Sequence, residues 1–252
     1  MNRADRERLA YDEGNIWEIS HKWHSRFPHV FESPNTVRHE RLFEDLLRQK
    51  VQGARVLELG CGDGENARKI AGLGARFVQG VDVSERFIRR AKEREIPGRL
   101  EFANSDATQS FVGEFDVIVG RSILHHIDYR PVVRRLYDEN LAPAGLMIFM
   151  EPLGSNPLIR LFTYLIRGAH TPDERSFRSA DLQWFRNQFP RFELHPFNLV
   201  TLYLGIISSN VLKKPDNTFM QAADTIDRWL ARSTKRLDPQ FRQGIFVLRK
   251  EP

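Results

Sequence analysis

The residues best placed to do chemistry begin in the stretch VLELGCGDGENA, Val56 to Ala67, which puts Gly60, Gly62 and Gly64 beside the acids Glu58 and Asp63. Glycine has no Cβ, so a loop built from it turns tightly and lets a ligand approach the backbone. A dinucleotide loop spaces its glycines G-x-G-x-x-G, whereas here the third glycine comes one place early with Asp63 between. Pyrophosphate at the following helix N-terminus would be repelled by Asp63, and Glu58 adds negative charge close by. A cationic ligand without phosphate fits better, and S-adenosylmethionine, with its adenosine, sulfonium and ammonium, is such a molecule.

Three more clusters have the same character. In GVDVS, Asp82 lies about 20 residues beyond Gly60, the separation at which a carboxylate accepts from ribose hydroxyls in open α/β sheets, with Val83 beside it. In NSDA, Asp106 can accept from an adenine amino group while the Ala107 backbone meets the ring edge. FDVIVGRSILHHI, Phe115 to Ile127, delivers Gly120, Arg121 and Ser122 and then the pair His125 and His126. Duller readings stand beside these. Gly64 is equally accounted for by helix–strand packing, Asp63 by an N-cap, Asp106 by a turn, and Cys61 as a small residue tolerated near a ligand.

The elements that must position these groups alternate from residue 54 onward, short β-rich runs with amphipathic stretches, as in βαβ units on a parallel sheet. Strands are expected at Arg55–Leu59, Arg76–Val81, Leu100–Ala103, Phe115–Val119, Leu146–Met150 after the Pro143-Ala144-Gly145 turn, Arg191–Phe197 and Gly244–Arg249. Helices are expected from Asp63 to Leu73, and from Glu85 to Arg94 with Ser84 as N-cap. A third runs over Leu158–Arg167 and is followed by a polar loop, His170 to Arg178. A fourth starts at Ser179 with Leu182 and Phe185 facing inward. Leu199 to Gln240 is too long for a plain loop, and Phe219, Ala223, Ile226 and Leu230 recur there at helical spacing. Every chemical cluster falls at the carboxyl end of a strand, where open α/β sheets bind ligands.

With VLELGCGDG, GVDVS, NSDA, FDVIVGRSILHHI and LAPAGLMIFMEP in order between Val56 and Pro152, the chain resembles the class I S-adenosylmethionine-dependent methyltransferases. The resemblance implies a Rossmann-like α/β fold: a seven-stranded, mostly parallel sheet in the order 3-2-1-4-5-7-6, the last strand antiparallel, with helices on both faces and helical insertions. It divides the chain into an N-terminal helical cap, 1–50, and a methyltransferase domain, 51–252, with insertions at about 152–178 and 199–240. It further implies that Glu58, Gly60, Cys61 and Gly62 line the methionine part of the cofactor, Asp82 holds the ribose, Asp106 with Ala107 holds adenine, and Arg121 lies beside the methionine moiety through its backbone. In this family the segment Tyr11 to Asn35, with Trp17, Trp23, His24 and Phe27, often folds over the cofactor; a helical core seam would use the same aromatics.

Methyl transfer from a sulfonium requires alignment and exclusion of water rather than a fixed set of catalytic side chains. His125 could take a proton from an alcohol or phenol, or LHHI could be a structural helix start; Glu151, ending the fifth strand, could face substrate or cap a loop. After strand four stand Gly120-Arg121-Ser122-Ile123. They replace the Asn/Asp-Pro-Pro-aromatic motif of nucleic-acid amino methylases and the Pro-Cys of pyrimidine carbon-5 methylases. Asp128 alone makes no carboxylate cluster of the metal-dependent catechol type, so no metal is expected.

The single cysteine, Cys61, rules out an internal disulfide and a cysteine-built zinc site. The charged N-terminus lacks a secretory apolar core. The longest apolar stretch, Leu199 to Ile207, falls short of the about 20 residues a bilayer span needs. A cytoplasmic protein is expected. The net charge of +5 is spread along the 252 residues, the pattern of a solvated surface. The expected acceptor is a small apolar or amphipathic molecule with an oxygen or nitrogen nucleophile: lipid-like, glycolipid or secondary metabolite. An RNA methyltransferase, supported by basicity alone, and a non-catalytic cofactor-binding protein are the alternatives. The apolar face of 158–167, with Arg160 and Arg167, is compatible with a peripheral membrane contact, a homodimer face or core packing.

Overall fold

The computed structural model describes residues 1–14, 16–165, 171 and 173–252. Seven strands form one sheet in the order β3-β2-β1-β4-β5-β7-β6. They are β1 (Arg55–Leu59), β2 (Phe77–Asp82), β3 (Leu100–Asn104), β4 (Phe115–Arg121), β5 (Leu141–Pro152), β6 (Phe192–Phe197) and β7 (Gln243–Arg249). β1 to β5 pair in parallel, and β7 runs antiparallel to both β5 and β6, which is the expected topology. Pro196 cannot donate to a ladder, so a strand containing it belongs at a sheet edge, where β6 lies.

Side chains alternate across a strand with period two, and the core splits accordingly. Val56, Val117, Val119, Ile148 and Val247 enter one cluster, whereas Leu57, Ile118, Met147, Phe149 and Phe246 enter the other. The first cluster is covered by α4 (Pro34–Val51), α5 (Glu65–Gly72) and α6 (Glu85–Lys92); the second by α7 (Tyr129–Arg135) and α9 (Ser179–Gln188). Ser33 caps α4, accepting from the Thr36 amide at 3.2 Å, with Pro34 in the first turn. Phe43, Leu46, Leu47 and Val51 bury the face of α4 that meets the sheet. Residues 34–51 therefore belong to the sheet's own helical layer. The helices that extend beyond it are α1 (Arg3–Glu13), α2 (Ile16–Arg26) and α3 (Pro28–Phe31).

Local geometry explains several boundaries. Gly62 (φ 53°) and Gly64 (φ 83°) sit in the left-handed region, so α5 cannot begin at Asp63 and starts at Glu65. Ser84 caps α6 as its sequence suggests, accepting from the Phe87 amide at 3.1 Å. β5 extends back to Leu141, and its expected turn survives as a ladder irregularity with Ala144 at φ 58°. In α9, Leu182 and Phe185 do face inward. The apolar helix α8 covers Pro157–Leu165; Ile166, Arg167 and His170 lie outside the described residues. Among the described residues no helix is long and apolar enough to cross a membrane.

The 199–240 segment folds into two helices, α10 (Val200–Val211) and α11 (Thr218–Ser233), and the inner face of α11 differs from the expected one. Met220, Ala223, Asp224 and Asp227 are buried, whereas Phe219 and Ile226 are 48% and 45% exposed. Polar pairing sets this rotation. Asp227 accepts from the amides of Leu199 (3.2 Å), Val200 (2.6 Å) and Thr201 (3.1 Å) and from the Thr201 hydroxyl (2.6 Å), satisfying the orphan donors that open α10. Asp224 accepts from Asn35 Nδ2 at 2.6 Å and pairs with Arg38 at 2.8 Å. Turning the apolar stripe inward would expose both acids and leave the α10 amides unpaired. Asp227→Ala should accordingly cost about 2–4 kcal/mol in urea unfolding, while Ile226→Ala should cost less than about 0.5 kcal/mol.

Candidate active site

Even-numbered residues of β1 face the α4–α5 layer, and Glu58 is the acid among them. It is buried. One oxygen, Oε1, accepts from Asn66 Nδ2 at 2.6 Å, while Oε2 has no partner among the described residues. Burial pushes this carboxyl up to about 8, against the lowering effect of the Asn66 bond. Beyond it the glycine turn brings the Cys61 amide to Val81 O at 3.0 Å. At Gly62 a Cβ would meet nothing within 4 Å, so the space over that backbone is open; at Gly64 it would strike Phe102 at 2.5 Å, so this glycine serves packing against β3. Asp63 does not face the cleft: it pairs with Arg94 at 3.3 Å. The acid left with an unpaired oxygen at the turn is thus Glu58.

Asp82 stitches two loops together. Oδ2 accepts from the Gly62 amide and Oδ1 from the Ser84 amide, each at 2.9 Å. Burial raises its pKa, against those two amide bonds. Each oxygen keeps a further lone pair. Asn104 Nδ2 donates to the carbonyls of Asp82 (3.1 Å) and Val83 (2.9 Å), tying down the β2–α6 turn. Asp106 forms a local turn, with Oδ1 accepting from the Thr108 amide at 2.8 Å, and Ala107 is buried against the core. Glu58, Gly60, Cys61, Gly62, Asp82, Val83, Asp106 and Ala107 therefore gather along the carboxyl ends of β1, β2 and β3. The Arg121 side chain turns away to α4, where its guanidinium pairs with Glu40 at 2.6 Å and lies 5.2 Å from the centre of the Phe43 ring.

After β4 the chain makes a sharp bend. Ser122 takes φ 52° and donates its amide to Met150 O at 2.9 Å, a conformation that a side-chain-bearing residue holds only when its surroundings enforce it. Glu151 enforces it. Fully buried, it accepts from the Ile123 (3.0 Å) and Leu124 (2.9 Å) amides through Oε1, and Oε2 lies 2.7 Å from His125 Nδ1. His125 Nε2 faces Glu174 Oε1 at 3.5 Å. Burial lowers the imidazole's pKa, but the two carboxylates outweigh it and hold the group near 9, as an imidazolium at neutral pH. A protonated ring between two acids has no lone pair with which to accept a proton. The geometry makes His125 and Glu151 a clasp for the bend, the structural alternative to the catalytic histidine and the substrate-facing acid of the sequence reading.

The neighbouring histidine is arranged differently. His126 Nδ1 lies 3.0 Å from Glu7 Oε2, and its Nε2 lies 3.3 Å from the Tyr11 hydroxyl. Thr171 donates its hydroxyl to Glu7 Oε1 at 2.6 Å. In the tautomer that sets Nδ1–H toward the carboxylate, Nε2 carries the lone pair and the phenol donates to it. Burial, with Glu174, Glu7 and Asp82 adding to it, drives the Tyr11 pKa upward, so the phenol stays neutral. Tyr11 thus lies between α6, where its ring centre is 6.2 Å from that of Phe87, and the turn after β4. Its helix is held there by Asp12, which accepts from the Ser84 hydroxyl and the Arg86 amide. Arg3 reaches Asp173 O at 2.6 Å, and Arg6 pairs with Asp173. Glu7, Tyr11, Thr171 and Glu174 escaped the sequence reading. Glu7 and Tyr11 are four apart on one helix, which was the available signal. Of the expected cap aromatics, Trp23 stacks on Phe27 (5.6 Å between centroids) and His24 on Phe31 (3.8 Å); the Trp17 side chain lies outside the described residues. His125, His126 and Glu174 also bring possible metal donors within 4.8 Å of one another, a grouping not expected from sequence, although the imidazole nitrogens already face hydrogen-bonding partners.

A family model described as a methyltransferase domain matches residues 32–201, well over half of the chain. The 27-O-demethylrifamycin SV methyltransferase of Amycolatopsis mediterranei is 33% identical over 99 residues, 37% of this chain and 36% of that one. The ubiquinone biosynthesis O-methyltransferase of Neisseria meningitidis is 26% identical over 113 residues, 42% of this chain and 47% of that one. The chain therefore spans less than half the length of either relative. Among solved structures, phosphoethanolamine N-methyltransferase 2 of Haemonchus contortus, in complex with phosphomonomethylethanolamine and S-adenosylhomocysteine, matches with a TM-score of 0.64 at 18% identity, covering 100% of this chain and 61% of that one; that likeness concerns the fold. Strand order, the crest of turns above β1 and the matched domain lead to one assignment: the chain belongs to the class I S-adenosylmethionine-dependent methyltransferases.

Proposed function

We propose that this enzyme methylates an oxygen or nitrogen of a small apolar or amphipathic acceptor, and that Tyr11 and His126 carry away the acceptor's proton. The observation behind this reading is the chain Glu7–His126–Tyr11 at 3.0 and 3.3 Å, carried on a helix that Asp12 ties to the β2–α6 turn, which Asp82 in turn joins to the Gly62 amide. The two curated relatives are named for a rifamycin and for ubiquinone biosynthesis, the second as an O-methyltransferase, which favours a hydroxyl acceptor.

The residues present suit the cofactor. Glu58 Oε2 is a buried acceptor without a donor, and an ammonium group would supply one. Gly60, Cys61 and Gly62 would line the methionine chain, Asp82 with Val83 the ribose, and Asp106 with Ala107 the adenine, while Arg121 would contribute only backbone. When bound, S-adenosylmethionine supplies a methyl group already activated on sulfonium. The protein's part is then to align the acceptor and hold its proton. The Tyr11 oxygen accepts the proton of the acceptor's O–H or N–H as the new bond to methyl forms, and passes its own proton to His126 Nε2. Glu7 stabilises the resulting imidazolium. His125 and Glu151 position the bend that carries His126.

Tyr11→Phe should lower kcat by roughly 10²-fold or more while leaving donor affinity within about threefold. His126→Asn should behave alike, with labelled methyl transfer and donor titration as the readouts. Equal losses in donor affinity and turnover would sink the relay. For Glu58, the folded pKa of about 8 lies above the ordinary 4.5. The stability it confers on the free enzyme is complete below about 4.5 and disappears as pH rises through about 8. Glu58→Gln should therefore unfold at a higher temperature than the wild type at pH 9 and at a similar one at pH 5. Donor binding at pH 7 should release a proton in the wild type and none in the variant, as heats measured in buffers of different ionisation enthalpy would reveal.

A further inference from the structure

Three helices turn an apolar surface outward. On α10, Tyr203, Ile207 and Val211 recur every four residues on one exposed face, Ile207 at 57% and Val211 at 73%, and Leu212 continues it. On α11, Phe219, Ile226 and Trp229 are exposed, Trp229 at 65%, because Asp224 and Asp227 occupy the inner face. On α8, Leu161 and Tyr164 are exposed. The helices are neighbours: α10 packs on α11, and the Tyr203 hydroxyl donates to Asn156 Oδ1 at 2.8 Å, one residue before α8. Ordinary amphipathic helices are built the other way round.

Charge distinguishes what covers this surface. Among the described residues of these helices and the 212–217 turn, the exposed charged side chains are Arg160, Lys213, Lys214, Arg228 and Arg232 against the acid Asp216. Lys213 and Lys214 sit at the tip, directly after Val211 and Leu212. A second copy docking by the same patch would set like charges against one another. An anionic bilayer accepts both features, because headgroups attract the cations while Tyr164, Tyr203 and Trp229 suit the boundary between headgroup and hydrocarbon. We propose that the α8–α10–α11 surface docks this methyltransferase on an anionic lipid membrane. The proposal extends the apolar-acceptor reading by supplying the phase from which such an acceptor is drawn: α8 begins at Pro157, six residues after Glu151, so the docked surface adjoins the carboxyl edge of the sheet.

The test does not depend on turnover. The full chain should sediment with vesicles of phosphatidylcholine and phosphatidylglycerol at low salt, and weakly with phosphatidylcholine alone or at high salt. Ile207→Glu and Trp229→Glu should each reduce binding about tenfold, and Lys213→Glu with Lys214→Glu should abolish the preference for anionic vesicles. All three should keep the wild-type circular dichroism and donor affinity. Should a variant misfold, tryptophan emission of the wild type decides instead: it should shift to the blue on anionic vesicles, and Trp229→Phe should remove most of that shift. No sedimentation of the wild type at low salt would overturn the proposal. So would a dimer in light scattering that Trp229→Glu dissociates, which would assign the surface to a second copy. Lost sedimentation with intact methyl transfer would separate membrane docking from the acceptor reading.

Discussion

Taking a carboxylate out of water is costly unless donors surround it, and this chain buries several at or near the carboxyl edge of its sheet. How each is compensated decides what that edge can do. Glu151 is saturated by two amides and an imidazolium, so it is structural: it holds the Ser122 bend and, through the bend, the direction of both histidines. Asp82 is partly satisfied, one amide to each oxygen, and joins the β1 and β2 turns while retaining capacity to accept. Glu58 is left short by one donor, and burial without that compensation pushes Glu58 toward neutrality. The saturated carboxylate on β5 and the deficient one on β1 are thus suited to different tasks, the first to holding a bend and the second to receiving a donor.

The same accounting distinguishes two adjacent histidines. His125 and His126 differ by one residue and share a turn, yet one is enclosed by acids on both nitrogens and the other has an acid on one side and a phenol on the other. The two carboxylates favour the charged form of His125, whereas in His126 the carboxylate on Nδ1 leaves Nε2 to the Tyr11 hydroxyl. The second environment is assembled from α1 and Thr171, far from the turn in sequence. Packing of α1 therefore brings Glu7 and Tyr11 to His126, and contacts of Arg3, Arg6 and Asp12 with the loop at 173 and the β2–α6 turn hold the helix in place.

The outer helices obey the constraint at the surface. Asp224 and Asp227 are drawn inward to complete Asn35, Arg38 and the α10 amides, and that rotation turns Phe219, Ile226 and Trp229 to the outside. An interior need for hydrogen bonds thus produces an exterior apolar patch, with Lys213 and Lys214 exposed beside it.

The seven strands and the line of motifs along the carboxyl edge were legible in the linear chain because period-two alternation, glycine turns and the spacing from Gly60 to Asp82 are local signals, whereas the strand order followed from the resemblance those motifs carry. Ser84 as a cap and the inward Leu182 and Phe185 were legible for the same reason. Three things were not. The inner face of α11 depended on acids satisfying amides elsewhere, which counting apolar residues cannot register. The roles of His125 and Glu151 depended on whether other acids and amides reached them. Tyr11 became a candidate only when its helix was brought onto His126, 115 residues away. Local backbone preference and burial periodicity are written into the sequence itself, whereas the charge state of a buried group depends on every dipole around it, and those neighbours exist only once the chain has folded.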